Sequence, residues 1–399
     1  MAHASGKIQV EHNQMQFTKQ LHKMACLAGL GLGVLSARGA GIVLTRAPDD
    51  GLQPQALAGS DGTIHLLYFK GNPATGDVFY VRRAAGAEAF GKPIRVNSQP
   101  GAAIAIGTIR GAQIALGKGG RVHVAWNGSG KAAGRQGAPM FYTRLDDQHL
   151  AFEPERDVMT FSSGLDGGGS VAADEQGNVY VAWHGRATEK TEGEANRAVF
   201  LAVSTNEGRT FAREQRVNPE PTGACGCCGL KAFADRERNL YLLYREARDG
   251  TERDEILLAS KDLGKSFRSV YDHPWKSTTC PMSSAWLGAA GANRTVAAWE
   301  TKGQVWFTTI DVQDGQVGSP VAPAGGGGQK HPVAVANAQG ETLLVWAEGT
   351  GWQKGGAVSW QLFDAQGKPK GMAGRKEGIP AWSFAATLLR RDGKFEIVY

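Results

Sequence analysis

The densest reactive chemistry in the chain is sulfur: Cys225, Cys227 and Cys228 lie within a few residues of one another, and Cys280 follows further on. In an oxidising compartment such a set forms disulfides, and more than one connectivity is open to it. Kept reduced, the same thiolates would hold a soft metal ion, and Met282, His273 and His331 would then point to copper. The spacing is not that of a zinc ribbon. Disulfides are the expectation, with no metal and no cofactor. A second set is polar and scattered: Arg110, His184, Arg245, Glu246, Glu300, His331 and Glu348. If these side chains converge, they suit an anionic or sugar-like ligand, because arginine forks pair with carboxylates and the others bond to hydroxyls. Whether they converge depends on the elements that carry them.

Those elements repeat. One unit recurs along the chain, an apolar strand, a Gly- or Asp-containing turn, and a second strand ending in an aromatic residue. Its copies begin at Pro54, Ala112, Ser170, Leu230, Ser284, Pro332 and Phe384, 48 to 60 residues apart. Period-two alternation in IHLLYF and VHVAW marks strands rather than helices. The spacing leaves room for two further strands per unit, as in DVFYVRR then KPIRVN, and AVFLAVS then REQRVN. The unit is therefore a four-stranded propeller blade and the fold class all-β. The hairpins count seven blades with the last incomplete, since the chain ends at Tyr399 with no outer strands after it. Residues Ile42 to Arg46 are placed to supply one of those missing strands, because a closed ring leaves no free sheet edge.

In a propeller, first strands start at one face and second strands return to it. Arg110, the Cys225 to Cys228 cluster, Cys280 and His331 stand at first-strand starts. His184, Arg245, Glu246, Glu300 and Glu348 follow second strands. The expected ligand site is thus the channel mouth. Because Cys280 opens the blade after that of Cys227 and Cys228, a disulfide between adjacent first strands is sterically reasonable.

Composition fits this picture and excludes others. With 55 glycines and 21% charged residues, the chain suits short strands and turns better than long surface helices. The formal charge is +6; without the four basic and one acidic residue of 1–40, 40 basic residues face 37 acidic ones, too mild an excess for nucleic acid. Lys19, His22 and Lys23 precede an apolar run from Met24 to Leu35, and small residues Ser36, Ala37, Gly39 and Ala40 follow, in the order of a secretion signal. The domain reading is a signal peptide and N-terminal extension over 1–40 and the propeller over 41–399, with a periplasmic or secreted location. The run is too short for a lasting span, and no second stretch of about twenty apolar residues follows.

Two segments, STNEGRTF at Ser204 to Phe211 and SKDLGKSF at Ser260 to Phe267, resemble the Asp-box repeat of sialidases, whose pattern is Ser, any, Asp, any, Gly, any, Thr, Trp. The second keeps Ser260, Asp262 and Gly264; the first has Asn206 for Asp and keeps Thr210. The resemblance implies a sialidase-like propeller, usually of six blades, with these turns between third and fourth strands on the face away from the site. A further stretch resembles a group of exported bacterial sialidase-like proteins through Cys225, Cys227, Cys228, Tyr244, Arg245, Arg253, Asp254, Cys280 and Pro281, with Gly229 where the group has proline.

The resemblance also frames what the site would do. Sialidases grip a carboxylate with three arginines and use a Tyr activated by Glu. Arg110 and Arg245 would be two of the arginines, and Tyr244 with Glu246 the pair, yet the family's early Arg-Ile-Pro is absent and adjacent strand residues point to opposite faces. The expectation is a protein that binds a glycan or other anionic ligand at the mouth. The alternatives are an exo-acting glycoside hydrolase of the sialidase type and a metal-handling or scaffold protein. Export predicts that secreted protein begins after cleavage at about Ala37 to Ala40; N-terminal sequencing that instead reads from Met1 or Met15 would overturn this.

Overall fold

Every repeated unit folds as the hairpin its alternation requires. The computed structural model describes residues 41–129, 137–187 and 192–399. The export segment expected over 1–40 lies outside the described residues. No helix among the described residues is long and apolar enough to cross a membrane.

After β1 (Ile42–Thr45), blade one comprises β2 (Leu52–Ala58), β3 (Ile64–Asn72), β4 (Thr75–Arg83) and β5 (Ile94–Arg95). Blade two has β6 (Gln113–Leu116), β7 (Val122–Asn127), β8 (Met140–Arg144) and β9 (Arg156–Asp157). Blade three has β10 (Gly169–Ala173), β11 (Val179–Gly185), β12 (Ala198–Ser204) and β13 (Gln215–Arg216). Blade four has β14 (Lys231–Ala234), β15 (Leu240–Arg245), β16 (Glu255–Ser260) and β17 (Arg268–His273). Blade five has β18 (Trp286–Ala289), β19 (Arg294–Thr301) and β20 (Gln304–Asp311), its outer edge met only by bridges to Val317 and Val321. Blade six has β21 (Gln329–Ala336), β22 (Thr342–Glu348), β23 (Gly356–Phe363) and β24 (Pro369–Ile379). Blade seven joins β25 (Ala386–Leu389) and β26 (Phe395–Val398) to β1. The first strands touch in the cyclic order β2, β6, β10, β14, β18, β21, β25 and back to β2, which closes a seven-bladed ring.

Local chemistry fixes the turns. Between first and second strands, Asp174 Oδ1 accepts the N–H groups of Gln176 and Asn178 at 3.0 and 2.9 Å, and Asp235 holds Asn239 in the same way at 2.8 Å. Such side-chain bonds replace a missing backbone partner. The SKDLGKSF turn lies between β16 and β17, where Ser260 Oγ accepts from Gly264 N at 2.9 Å and Asp262 Oδ1 accepts from Ser266 N at 2.9 Å. STNEGRTF, between β12 and β13, repeats these bonds with Ser204 and Asn206. The aromatic ends of the second strands, Trp126, Trp183 and Trp299 among them, are fully buried between blades.

Closure falls to four residues. β1 runs parallel to β26, from Ile42 opposite Phe395 to Thr45 opposite Val398. Glu396, fully buried, accepts a hydrogen bond from Thr45 Oγ1 at 2.8 Å and forms an ion pair with Arg83 of blade one. Removing the acid would strand a buried guanidinium, which costs about 3–5 kcal/mol. Glu396→Ala should therefore lower unfolding stability by that amount in urea titration; a loss below about 1 kcal/mol would show the pair to be dispensable.

Candidate functional site

The mouth is organised by the segment 105–111, which leads into β6. Gln53, at the start of blade one, donates from Nε2 to Ala105 O and Trp382 O, both at 2.7 Å. Ile109 is buried against Gly229 of blade four, where a Cβ would lie 3.6 Å from its own. Gly107, at φ +83, packs between Arg110 and Trp352; a Cβ there would collide with the Arg110 guanidinium and stand 3.9 Å from the Trp352 ring. Segment 105–111 thus reaches blades one, three, four and six across the opening.

On one side of Arg110 lies a chain of charges. Arg110 Nη2 bonds Asp166 Oδ1 at 2.6 Å, and Arg197 Nη2 meets Asp166 Oδ2 at 3.1 Å. Arg253 Nη2 pairs with Glu194 at 2.7 Å, and Glu194 accepts from Gly226 N at 3.0 Å. Asp166 keeps 36% of its side chain exposed and Arg110 24%, so this chain faces solvent in part. On the other side stand aromatic rings. Trp352 is 57% exposed and meets Trp382 edge to face at 4.6 Å between centroids. Lys330, His331, Lys354 and Met282 line the same depression.

Of the residues expected at the mouth, Arg110 and His331 are there. The His331 imidazole is buried beneath the surface, its Nδ1 beside Ser284 Oγ at 3.2 Å, and burial holds it neutral with a pKa of about 3. His184 is fully buried under Gly167, at φ +80, and burial likewise lowers its pKa to about 3. It is floor rather than contact. Glu348 bonds Ser359 Oγ at 2.8 Å and Arg375 at 3.1 Å, outside the depression.

Arg245 is a correction: expected as a ligand contact, its side chain is 2% exposed and saturated by protein. It donates to Arg253 O at 2.6 Å and to Glu300 O, and pairs with Glu255 at 3.0 Å. Glu300 is buried beside it, and burial pushes the carboxyls of both Glu255 and Glu300 up against the pull of the guanidinium. Glu246 is buried on Arg248 at 2.9 Å. Tyr244 points into the opposite core, its hydroxyl 3.2 Å from Thr222 Oγ1, so the pair it would make with Glu246 does not form at the mouth. The sequence reading missed Asp166, Arg197, Glu194 and the two tryptophans. Asp166 sits in GLDGGG before a first strand, and that glycine run, which permits close backbone approach, was its available signal.

The four cysteines meet beside this chain. Cys227 and Cys280 form a disulfide, while Cys225 and Cys228, grouped with them in the disulfide expectation, are free and buried. Cys225 Sγ lies 3.2 Å from Cys228 Sγ and 3.3 Å from Cys227 Sγ. Burial opposes ionisation of Cys228, but the bond donated by Cys225 and the charge of Arg245 outweigh it and draw its pKa down. Glu194, Cys225, Cys227 and Cys280 would make a compact ligand group, but the disulfide occupies two of its sulfurs.

No family model and no curated protein matches the sequence. Solved structures do match in shape. The GH93 α-L-arabinofuranosidase of Fusarium graminearum, in complex with arabinobiose, is 12% identical with a TM-score of 0.53 over 82% of this chain and 98% of that one. A protein of unknown function from Dyadobacter fermentans is 12% identical with a TM-score of 0.51 over 81% and 97%. The Hadza microbial sialidase Hz136 is 13% identical, with a TM-score of 0.45 over 88% and 66%. At these identities the likeness is one of fold. The chain is an all-β propeller with seven blades, a fold it shares with the Fusarium arabinofuranosidase.

The bridge closes a loop with a sequence separation of 53, worth about 4 kcal/mol in the chain-entropy account. Cys280→Ser should lower unfolding stability by about that much. Peptide mapping without reductant should find the Cys227–Cys280 link and two thiols, Cys225 and Cys228, that alkylate only after unfolding; four reactive thiols in the native protein would refute the assignment and revive the metal reading.

Proposed function

We propose that this is an exported propeller whose mouth binds an acidic carbohydrate. The observation that carries the reading is the exposed Trp352, braced by Trp382 and flanked by Arg110, Lys330 and Lys354. A rigid aromatic face in water gains by being covered: roughly 100 Å² of it contributes about 2.5 kcal/mol. The C–H face of a sugar ring is a flat partner for it. The cations beside it supply what an aromatic surface lacks, a grip on a carboxylate or sulfate. That combination, an apolar wall with a few convergent polar groups, is what small-ligand sites share. An arabinofuranosidase in complex with arabinobiose is built on the same fold. A disulfide between Cys227 and Cys280 fits an oxidising compartment, which supports export.

The reading is one of binding. The half-buried acids on the charged side of Arg110, Asp166 and Glu194, are held in ion pairs with arginines. Screening acidic oligosaccharides, uronic-acid and sulfated ones included, against the purified protein should find a ligand. Trp352→Ala should weaken the best hit at least tenfold, about 1.4 kcal/mol, at an unchanged melting temperature. A screen with no hit, or a variant that binds as tightly as the parent, would overturn the proposal.

A further inference from the structure

Behind the mouth, the first strands of all seven blades enclose a central cavity of about 520 Å³. Its wall is apolar, with Ile114, Val171, Phe233, Leu287, Val335 and Leu388 among the lining residues. It extends to the far ends of the first strands, at Ala58, Ala173, Ala234 and Ala289, while segment 105–111 crosses the ring at the mouth end. The one charged side chain among the lining residues is Lys231, the first residue of β14. It is 5% exposed. Its Nζ donates to Gln113 Oε1 at 2.8 Å and lies 4.5 Å above the Trp286 ring. Among the described residues no carboxylate pairs with it, and burial alone pulls its pKa down to about 7.

An ammonium carries three donors, and one protein acceptor serves this one. Burying a cation with no counter-ion is among the most costly arrangements in a core, and proteins relieve it by pairing or neutralisation. Among the described residues no side chain supplies the anion. The cavity beside the amine has the opposite character, lined by apolar residues, and its volume falls within the range of about 300–1,000 Å³ typical of ligand sites.

We propose that the cavity binds a linear aliphatic carboxylic acid, its carboxylate on Lys231 Nζ and its chain lying along the first strands toward the far face. The site is distinct from the mouth and does not depend on the carbohydrate reading. The acid enters protonated, which spares it the cost of carrying a charge past the alanines and leucines. At the amine the acid ends as a carboxylate in contact with the Nζ ammonium, its proton passing to Nζ where the amine is neutral and to solvent where the amine is already charged. The chain displaces water from apolar wall, and each added CH2 raises affinity about fourfold until the cavity is filled.

Titration calorimetry with hexanoate, octanoate and decanoate, each below its aggregation concentration, tests this on the intact protein. The expected result is one site, affinity rising with chain length, and methyl decanoate at least tenfold weaker than decanoate. Lys231→Met, similar in length and uncharged, should keep or raise the melting temperature and lose at least tenfold in decanoate affinity. Failure of decanoate to bind, equal binding of acid and ester, or equal binding to K231M would each overturn the proposal. The acid-against-ester comparison uses the parent protein, so the test stands even if the variant does not fold.

Discussion

Everything at the mouth depends on the ring being closed, and closure rests on the contact of β1 with β26. β1 supplies only four residues, yet it covers β26, which would otherwise be a bare edge. The hydrogen bonds from Ala47 N to Tyr399 O and from Tyr399 N to Thr45 O, each 3.0 Å, continue the seam toward the mouth. Glu396 adds the lateral tie, because Thr45 and Arg83 reach it from the closing strand and from blade one. If that seam opened, Gln53 and Trp382 would separate, and with them the support of segment 105–111.

That segment explains why a channel lined by seven strands has two unlike ends. At the mouth the chain crosses the opening and lays Arg110 between an ion-pair chain and an aromatic pair, so one small surface offers charge and a flat apolar face together. Toward the far face, among the described residues, alanines and leucines line the bore. The polar chemistry is therefore sorted by depth. Asp166 and Glu194 keep part of their side chains in solvent while paired with arginines, and Arg245 is enclosed by protein.

Arg245 illustrates the buried kind. The guanidinium holds two acids and two backbone carbonyls around the start of blade four, directly behind the cysteine cluster. A fork with five donors can tie that many acceptors where lysine could not. Its position at the end of a second strand was readable from sequence, but its direction was not, because the blade's own outer strand, through Glu255, takes the side chain inward.

Local chemistry made the fold legible in the sequence. Alternation in the paired strands, Asp and Asn at the turns and glycine at positive φ each act within a few residues, so they survive in the one-dimensional pattern. Those signals gave all seven hairpins, the closing strand at the N-terminus and the neighbouring starts that Cys227 and Cys280 occupy. The candidate site was legible only as a set of positions. Which of them face the opening is decided by contacts between blades. Asp166 reaches Arg110 across 56 residues and Gly107 rests on Trp352 from the far side of the ring. His184, Arg245 and Glu300 stand at equally suitable strand ends and are buried by what packs over them. A strand end specifies where a backbone arrives; the free energy of burying or exposing its side chain is set by neighbours distant in sequence, and only the closed ring brings those neighbours into place.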